Sequence, residues 1–195
     1  MRLKLALTVV SLGTILGCSP GTESGPGAAD SADSELRRGN GGEPGSLDPA
    51  LAEDIHAFAV LADLYEGLVT TDAAGKIIPG VASTWTASAD ATEYTFTLRD
   101  DAHWSNGDPV VAQDFVRAYR HVASPDTPAS YAFLLEPIHN FRRIKTGKLP
   151  AGDLGVSAVD STTLKIKLEQ PTPYLLSVLT MPIASPRHAA TTGAV

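Results

Sequence analysis

Glu93-Tyr-Thr-Phe-Thr-Leu-Arg99 alternates without a break: Tyr94, Phe96 and Leu98 point one way, Thr95, Thr97 and Arg99 the other. A period of two is the pattern of a strand with one face buried. It returns in Thr162-Thr-Leu-Lys-Ile-Lys-Leu168, with Leu164, Ile166 and Leu168 inward and the lysines outward. Between the two, Ala112 to Val122 changes period. Phe115, Ala118, Tyr119 and Val122 recur at helical spacing, and Ser124-Pro125 stops the run, because proline drives its predecessor out of the helical region. Short amphipathic strands mixed with helices predict an α+β fold rather than a regular βαβ series.

Working outward, Phe58, Leu61, Ala62, Leu64, Tyr65 and Leu68 fall at helical spacing with Asp63 and Glu66 between them, predicting an amphipathic helix that ends near Gly67. Ala73-Ala-Gly-Lys76 reads as a turn, followed by a short apolar stretch and Pro79-Gly80; Asn106-Gly107 reads as a tight turn. Pro171 and Pro173 introduce a last short helix through Leu179. Upstream, Glu35 to Asn40 reads as a short strand entering the fold, and Gly41-Gly-Glu-Pro-Gly45 as a loop. Its glycines do not make a phosphate cradle, since Pro44 interrupts them and neither a strand nor an opening helix flanks them.

The chain has 195 residues, 43% of them hydrophobic, which is enough for a packed core. Fifteen Lys+Arg against 22 Asp+Glu leave a net charge of −7, which argues against a nucleic-acid partner, because phosphate binding needs a basic patch. A single cysteine excludes an intrachain disulfide framework and a cysteine-cluster zinc site.

That cysteine, Cys18, closes a basic start (Met1 to Lys4) and an apolar run (Leu5 to Leu16) in the order of an export signal. The run is too short for a permanent membrane span. Ile15-Leu-Gly-Cys18 resembles a bacterial lipobox, in which the cysteine becomes the acylated first residue. Residues 19–34 lack large apolar side chains and periodicity and read as a flexible tether. Signal, lipid and tether together predict a protein anchored to a bacterial membrane, on the periplasmic side of the cell envelope.

No catalytic constellation is visible. The five histidines show neither HxxH nor HExxH spacing, and GxSxG and GxxxxGK[ST] are absent, so neither an enzyme nor a metal or other cofactor is expected. Asp100-Asp101 reads as a solvated turn, and Arg142-Arg143 with Lys145 and Lys148 as a solvated basic face. Trp85, Trp104, Tyr119 and Tyr131 are readable as core or as ligand-stacking aromatics, with core favoured for the two tryptophans.

Eight phrases in order carry a resemblance. They are Ser46-Leu-Asp-Pro49, Asp63-Leu-Tyr-Glu-Gly-Leu68, Pro79-Gly-Val-Ala-Ser-Thr-Trp85, Tyr94-Thr-Phe-Thr-Leu-Arg99, Trp104-Ser-Asn-Gly-Asp-Pro109, Ala112-Gln-Asp-Phe115, Tyr131-Ala132, and Leu154-Gly-Val156 with Thr163-Leu164. Across about Arg37 to Pro186 the chain resembles the large periplasmic solute-binding proteins of peptide ABC transporters, most of all the oligopeptide-binding proteins. The resemblance implies a bilobal flytrap that closes on an extended peptide held largely by main-chain hydrogen bonds, with side chains in roomy pockets. It implies a monomer that hands its guest to a membrane permease.

Carried over residue by residue, the resemblance points to Glu53, Ile55 and Tyr131 as ligand contacts. Glu53 is also readable as a solvated loop carboxylate and Ile55 as a core residue. Val111 departs from the family's usual threonine before the helix, costing about 1 kcal/mol of capping. The implied organisation is a signal peptide over 1–18, a tether over 19–34, an N-terminal strand segment of the main lobe over 35–58, an accessory domain over 59–170 and the start of a return to the main lobe over 171–195. Family members are far longer, so the chain is expected to be an N-terminal fragment or a truncated reading frame lacking the second lobe. Within the class the guest is open among oligopeptide, dipeptide, murein peptide, nickel and haem. Outside it stand a structural or interaction lipoprotein and an envelope hydrolase, the latter without a convincing catalytic residue.

Overall fold

The computed structural model describes residues 39–191. The export signal, Cys18 and the tether lie outside the described residues, as do Glu35 to Arg38. The quoted strand becomes β4 (Glu93–Leu98), at the interior of a four-stranded antiparallel sheet. Its neighbours are β3 (Ala82–Ala87) on one side and β6 (Thr163–Lys167) on the other, and β5 (Val156–Ala158) completes the order β3-β4-β6-β5. Register sets Phe96 opposite Leu164 and Tyr94 opposite Ile166, so the two alternating stretches bury the same face. Every ladder is antiparallel, as expected for an α+β domain with one wet sheet face.

Helix α2 (Ala112–Ala123) packs over β5 and β6, with Phe115, Val116, Tyr119 and Val122 fully buried against the sheet. Its N-cap, Val111, has the extended backbone of a capping residue (φ −119°, ψ 159°) but no side-chain acceptor. Only the reciprocal half of a capping box forms: Val111 N–H donates to the Asp114 carboxylate at 3.2 Å. Asp114 is buried and also accepts from Trp104 Nε1 at 2.9 Å and from Arg117. The other end of α2 is closed from a distance. Lys145 Nζ donates to the carbonyls of Val122, Ser124 and Thr127 at 2.9, 2.9 and 2.6 Å. The lysine thus lies in the helix's C-terminal field, where positive charge is favourable. Lys145 belongs to α3 (Phe141–Lys145), and burial pushes its pKa down. Of the expected solvated basic face, this residue is a correction: it is a helix C-terminal clamp.

The helix expected near residue 58 is α1 (Ile55–Leu64), which starts earlier because Asp54 caps it, accepting from Ala57 N–H at 2.8 Å. Its inner face is Ala57 and Leu61. Leu64 is exposed, and Leu68 leaves the helix to be fully buried beside β1 (Val69–Thr71). A turn at Asp72–Lys76, with Gly75 at φ 78°, folds β1 onto β2 (Ile77–Pro79). No strand occurs between residues 39 and 58: Gly39 and Asn40 are irregular, turns follow, and α1 begins at Ile55. At the other end, α4 (Leu175–Val178) and the turn Pro182–Ala184 add Leu175, Leu179, Ile183 and Ala184 to the same core as the sheet. Residues 39–191 fall within one compact unit. Among the described residues no helix is long and apolar enough to cross a membrane, and no three His, Cys, Asp or Glu side chains group to hold a metal.

Candidate functional site

The loop before α1 is built around two aspartates. In Ser46-Leu-Asp-Pro49, the Ser46 hydroxyl accepts from Asp48 N–H at 3.1 Å, and Asp48 Oδ1 accepts from Ala50 N–H at 2.9 Å. The Asp48 carbonyl takes the N–H groups of Leu51 and Ala52, at 3.0 and 3.1 Å, and winds the chain into a turn. Its Oδ2 accepts from Arg187 Nη1 at 3.1 Å, with both side chains largely buried. Asp54 closes the other end, capping α1 with one oxygen and accepting from Gly45 N–H at 2.9 Å with the other. Those two backbone donors, that of Ala57 first, hold its carboxyl below the usual range.

Between the two aspartates Ala50 and Ala52 are buried, and Glu53 faces out. Glu53 is exposed, and its carboxylate accepts the Ser130 hydroxyl across 77 positions of sequence. Neither the N–H nor the C=O of Glu53 has a hydrogen-bond partner among the described residues, and the same holds for Ser130. The next residue, Tyr131, is half-buried. Its ring lies edge-on to Phe58 of α1 at 5.7 Å and tilted against Phe133 at 6.0 Å. Behind these rings Pro49, Ala52, Leu134, Met181 and Ile183 leave almost no space.

The fold thus brings Glu53 and Tyr131 into one corner through Ser130. Ile55 opens α1 one turn before Phe58 and is 75% exposed, so its reading as a core residue is corrected. Glu53 is exposed, yet tied rather than free. Sequence reading missed Ser130, Phe58 and Phe133 as members of this corner. The one available signal was the run Ser130-Tyr-Ala-Phe133, a hydroxyl and two aromatics together after a proline-rich loop.

Beside the corner lies a cavity of about 410 Å³ whose walls include Leu47, Pro49, Val122 and Ile183, and whose polar groups include Asp48, His121 and Arg187. His121 Nδ1 is 3.3 Å from the Thr127 hydroxyl, and Nε2 is 3.8 Å from Asp48 Oδ2. Burial, then the Arg187 charge, lowers the His121 pKa, and Asp48 pulls weakly the other way. The corner offers unpaired main chain, aromatic faces and a carboxylate. Such groups are of the kind that bind an extended polyamide through its main chain.

The family model described as "Bacterial extracellular solute-binding proteins, family 5 Middle" matches residues 76–194. The periplasmic murein peptide-binding protein MppA of Escherichia coli is 44% identical over 146 residues, 74% of this chain and 27% of that protein. The periplasmic oligopeptide-binding protein OppA of the same organism is 43% identical over 153 residues, 77% of this chain and 28% of that protein. Haemophilus influenzae OppA, solved in complex with RPPGFSPFR, superposes with a TM-score of 0.73 at 43% identity, covering 75% of this chain and 29% of that one. The chain therefore spans between a quarter and a third of the length of these relatives. The α+β unit is part of a periplasmic-binding-protein fold, and the chain belongs to the bacterial extracellular solute-binding proteins of family 5.

Proposed function

We propose that this chain is part of the substrate-binding component of a peptide ABC importer. It captures short peptides through main-chain hydrogen bonds and acts with a membrane permease, without enzymatic chemistry. The observation that carries the reading is the identity of more than 40% to proteins named for binding murein peptide and oligopeptide. The wider kinship is mixed: a dipeptide-binding protein of Bacillus subtilis is 35% identical over 177 residues, and a probable deoxycholate-binding periplasmic protein of Escherichia coli is 37% identical over 153. Tyr131, Glu53 and Ile55 are the residues we assign to the guest: Glu53 by its unpaired main chain, Ile55 by its exposed apolar surface and Tyr131 by the half-buried ring beside them.

In the same reading, Cys18 carries lipid and the tether over 19–34 holds a monomer at the periplasmic face of the membrane. Residues 35–58 and 171–195 lead to and from the main lobe, with 59–170 as the accessory domain. The test is a titration of the chain with tri- and tetrapeptides, followed by amide chemical shifts. Shifts at Glu53, Ile55, Ser130 and Tyr131 that saturate, and that weaken at least threefold in Tyr131→Ala, are the expected result. A chain that melts cooperatively and responds to no peptide is instead a structural or interaction lipoprotein domain.

A further inference from the structure

The rings around Tyr131 extend further than main-chain capture requires. The short turn Ala132–Leu135 docks through Ala132 and Leu135, which are buried, and sends Phe133 outward with 57% of its surface exposed. Phe58, Tyr131 and Phe133 therefore step from α1 toward solvent at 5.7 and 6.0 Å between ring centres. Exposed Ile55 stands one helical turn from Phe58. Unpaired peptide groups at Glu53 and Ser130 flank the rings, at the two ends of the Glu53–Ser130 hydrogen bond. A strand bonded to those groups points successive side chains to opposite faces, so the rings meet one side chain and its neighbours point away. The exposed Glu53 carboxylate disfavours an acid at that position.

We propose that Phe133, with Tyr131, is a specificity-determining subsite that selects an aromatic or branched aliphatic side chain at one position of the bound peptide. The inference rests on the peptide-binding reading above. It departs from composition-blind capture at that single position, because an apolar or aromatic guest gains ring contacts that alanine or aspartate does not.

The experiment moves one Phe, Leu, Ala or Asp through each position of a tetra-alanine host and measures affinity for the 195-residue chain by amide chemical-shift titration. At one position Phe and Leu bind about five- to tenfold tighter than Ala, and Asp binds more weakly than Ala. Phe133→Ser abolishes that preference, while Phe133→Leu keeps the preference for apolar residues. Equal affinity for all residues at every position overturns the subsite and leaves peptide capture standing. Retention of the preference in a folded Phe133→Ser overturns it too. Absence of binding by every peptide overturns both readings together.

Discussion

Lys145→Met separates a buried clamp from a solvated charge. The wild-type ammonium donates to Val122, Ser124 and Thr127 carbonyls at 2.9, 2.9 and 2.6 Å, closing the last turn of α2 and the chain that leaves it. A hydrogen bond involving a charged group contributes about 1.5–3 kcal/mol net. The three do not add, since they share one donor and the half-buried carbonyls recover some water when it goes. Methionine keeps most of the apolar stem, so packing changes little. The expected cost is about 2–4 kcal/mol, several degrees or more of melting temperature for a unit of this size.

The assay is urea unfolding followed by far-UV circular dichroism, with Lys148→Met as the matched exposed control. Lys145→Met shifts the midpoint with an unchanged slope, the sign of lost native stability rather than an altered unfolded state. Lys148→Met changes stability by less than about 0.5 kcal/mol. Equal effects of the two substitutions would refute the clamp and restore the solvated basic face.

Three further outcomes follow from the same kind of reasoning. Val111→Thr places a hydroxyl where the N-cap backbone is already extended, and raises stability by about 0.5–1 kcal/mol in the same urea assay; no change would mean that the Asp114 half-box already satisfies the first turn. Gly155→Ala sets a Cβ 2.7 Å from Lys167 O and 2.7 Å from His139 Cβ, where the Leu154-Gly-Val156 chain exchanges hydrogen bonds with both neighbours. It costs about 1–3 kcal/mol, and an unchanged melt would contradict the close approach. Burial lowers the His121 pKa in the fold, so the unfolded chain binds the extra proton first. His121 therefore contributes stability that is present above the unfolded value of about 6.5 and is lost as pH falls from there through the lower folded value. Melting temperature drops more steeply from about pH 7.5 to about pH 5.5 in the wild type than in His121→Gln, and parallel curves would defeat the assignment.

Periodic segments were legible because their pattern is local. Tyr94, Phe96 and Leu98 are buried as the alternation predicts, and Phe115, Ala118, Tyr119 and Val122 line the inner face of α2. The α+β class followed from those two periods alone. α1 was legible only in its middle. Its start depends on the Asp54 cap, four residues ahead of the first periodic apolar residue, Asp54 also serving Gly45. Leu68 continued the helical spacing and was nevertheless drawn into the core beside β1, where the pull of the sheet outweighs one more turn of helix. Lys145 looked like its basic neighbours because its acceptors lie 18 to 23 residues away and are backbone atoms, which leave no trace in side-chain pattern.

The corner that we assign to the guest lies at the far end of that scale. Glu53 reaches Ser130 over 77 positions, and Asp48 reaches Arg187 over 139. No periodicity or spacing rule spans such distances, so only resemblance put Glu53 and Tyr131 on one page, and it did so without Ser130 between them. The phrase Ser46-Leu-Asp-Pro49 shows what such a motif does physically. Asp48 spends its two carboxylate oxygens and its carbonyl on Ala50, Arg187, Leu51 and Ala52. It is a positioning residue whose contacts are all internal, and its consequence is that the next free main chain, at Glu53, is presented outward beside the rings. A motif that holds a loop and a loop that holds a guest are therefore different residues, and Asp48→Asn should weaken peptide capture through loss of loop order while leaving any preference at Phe133 in place.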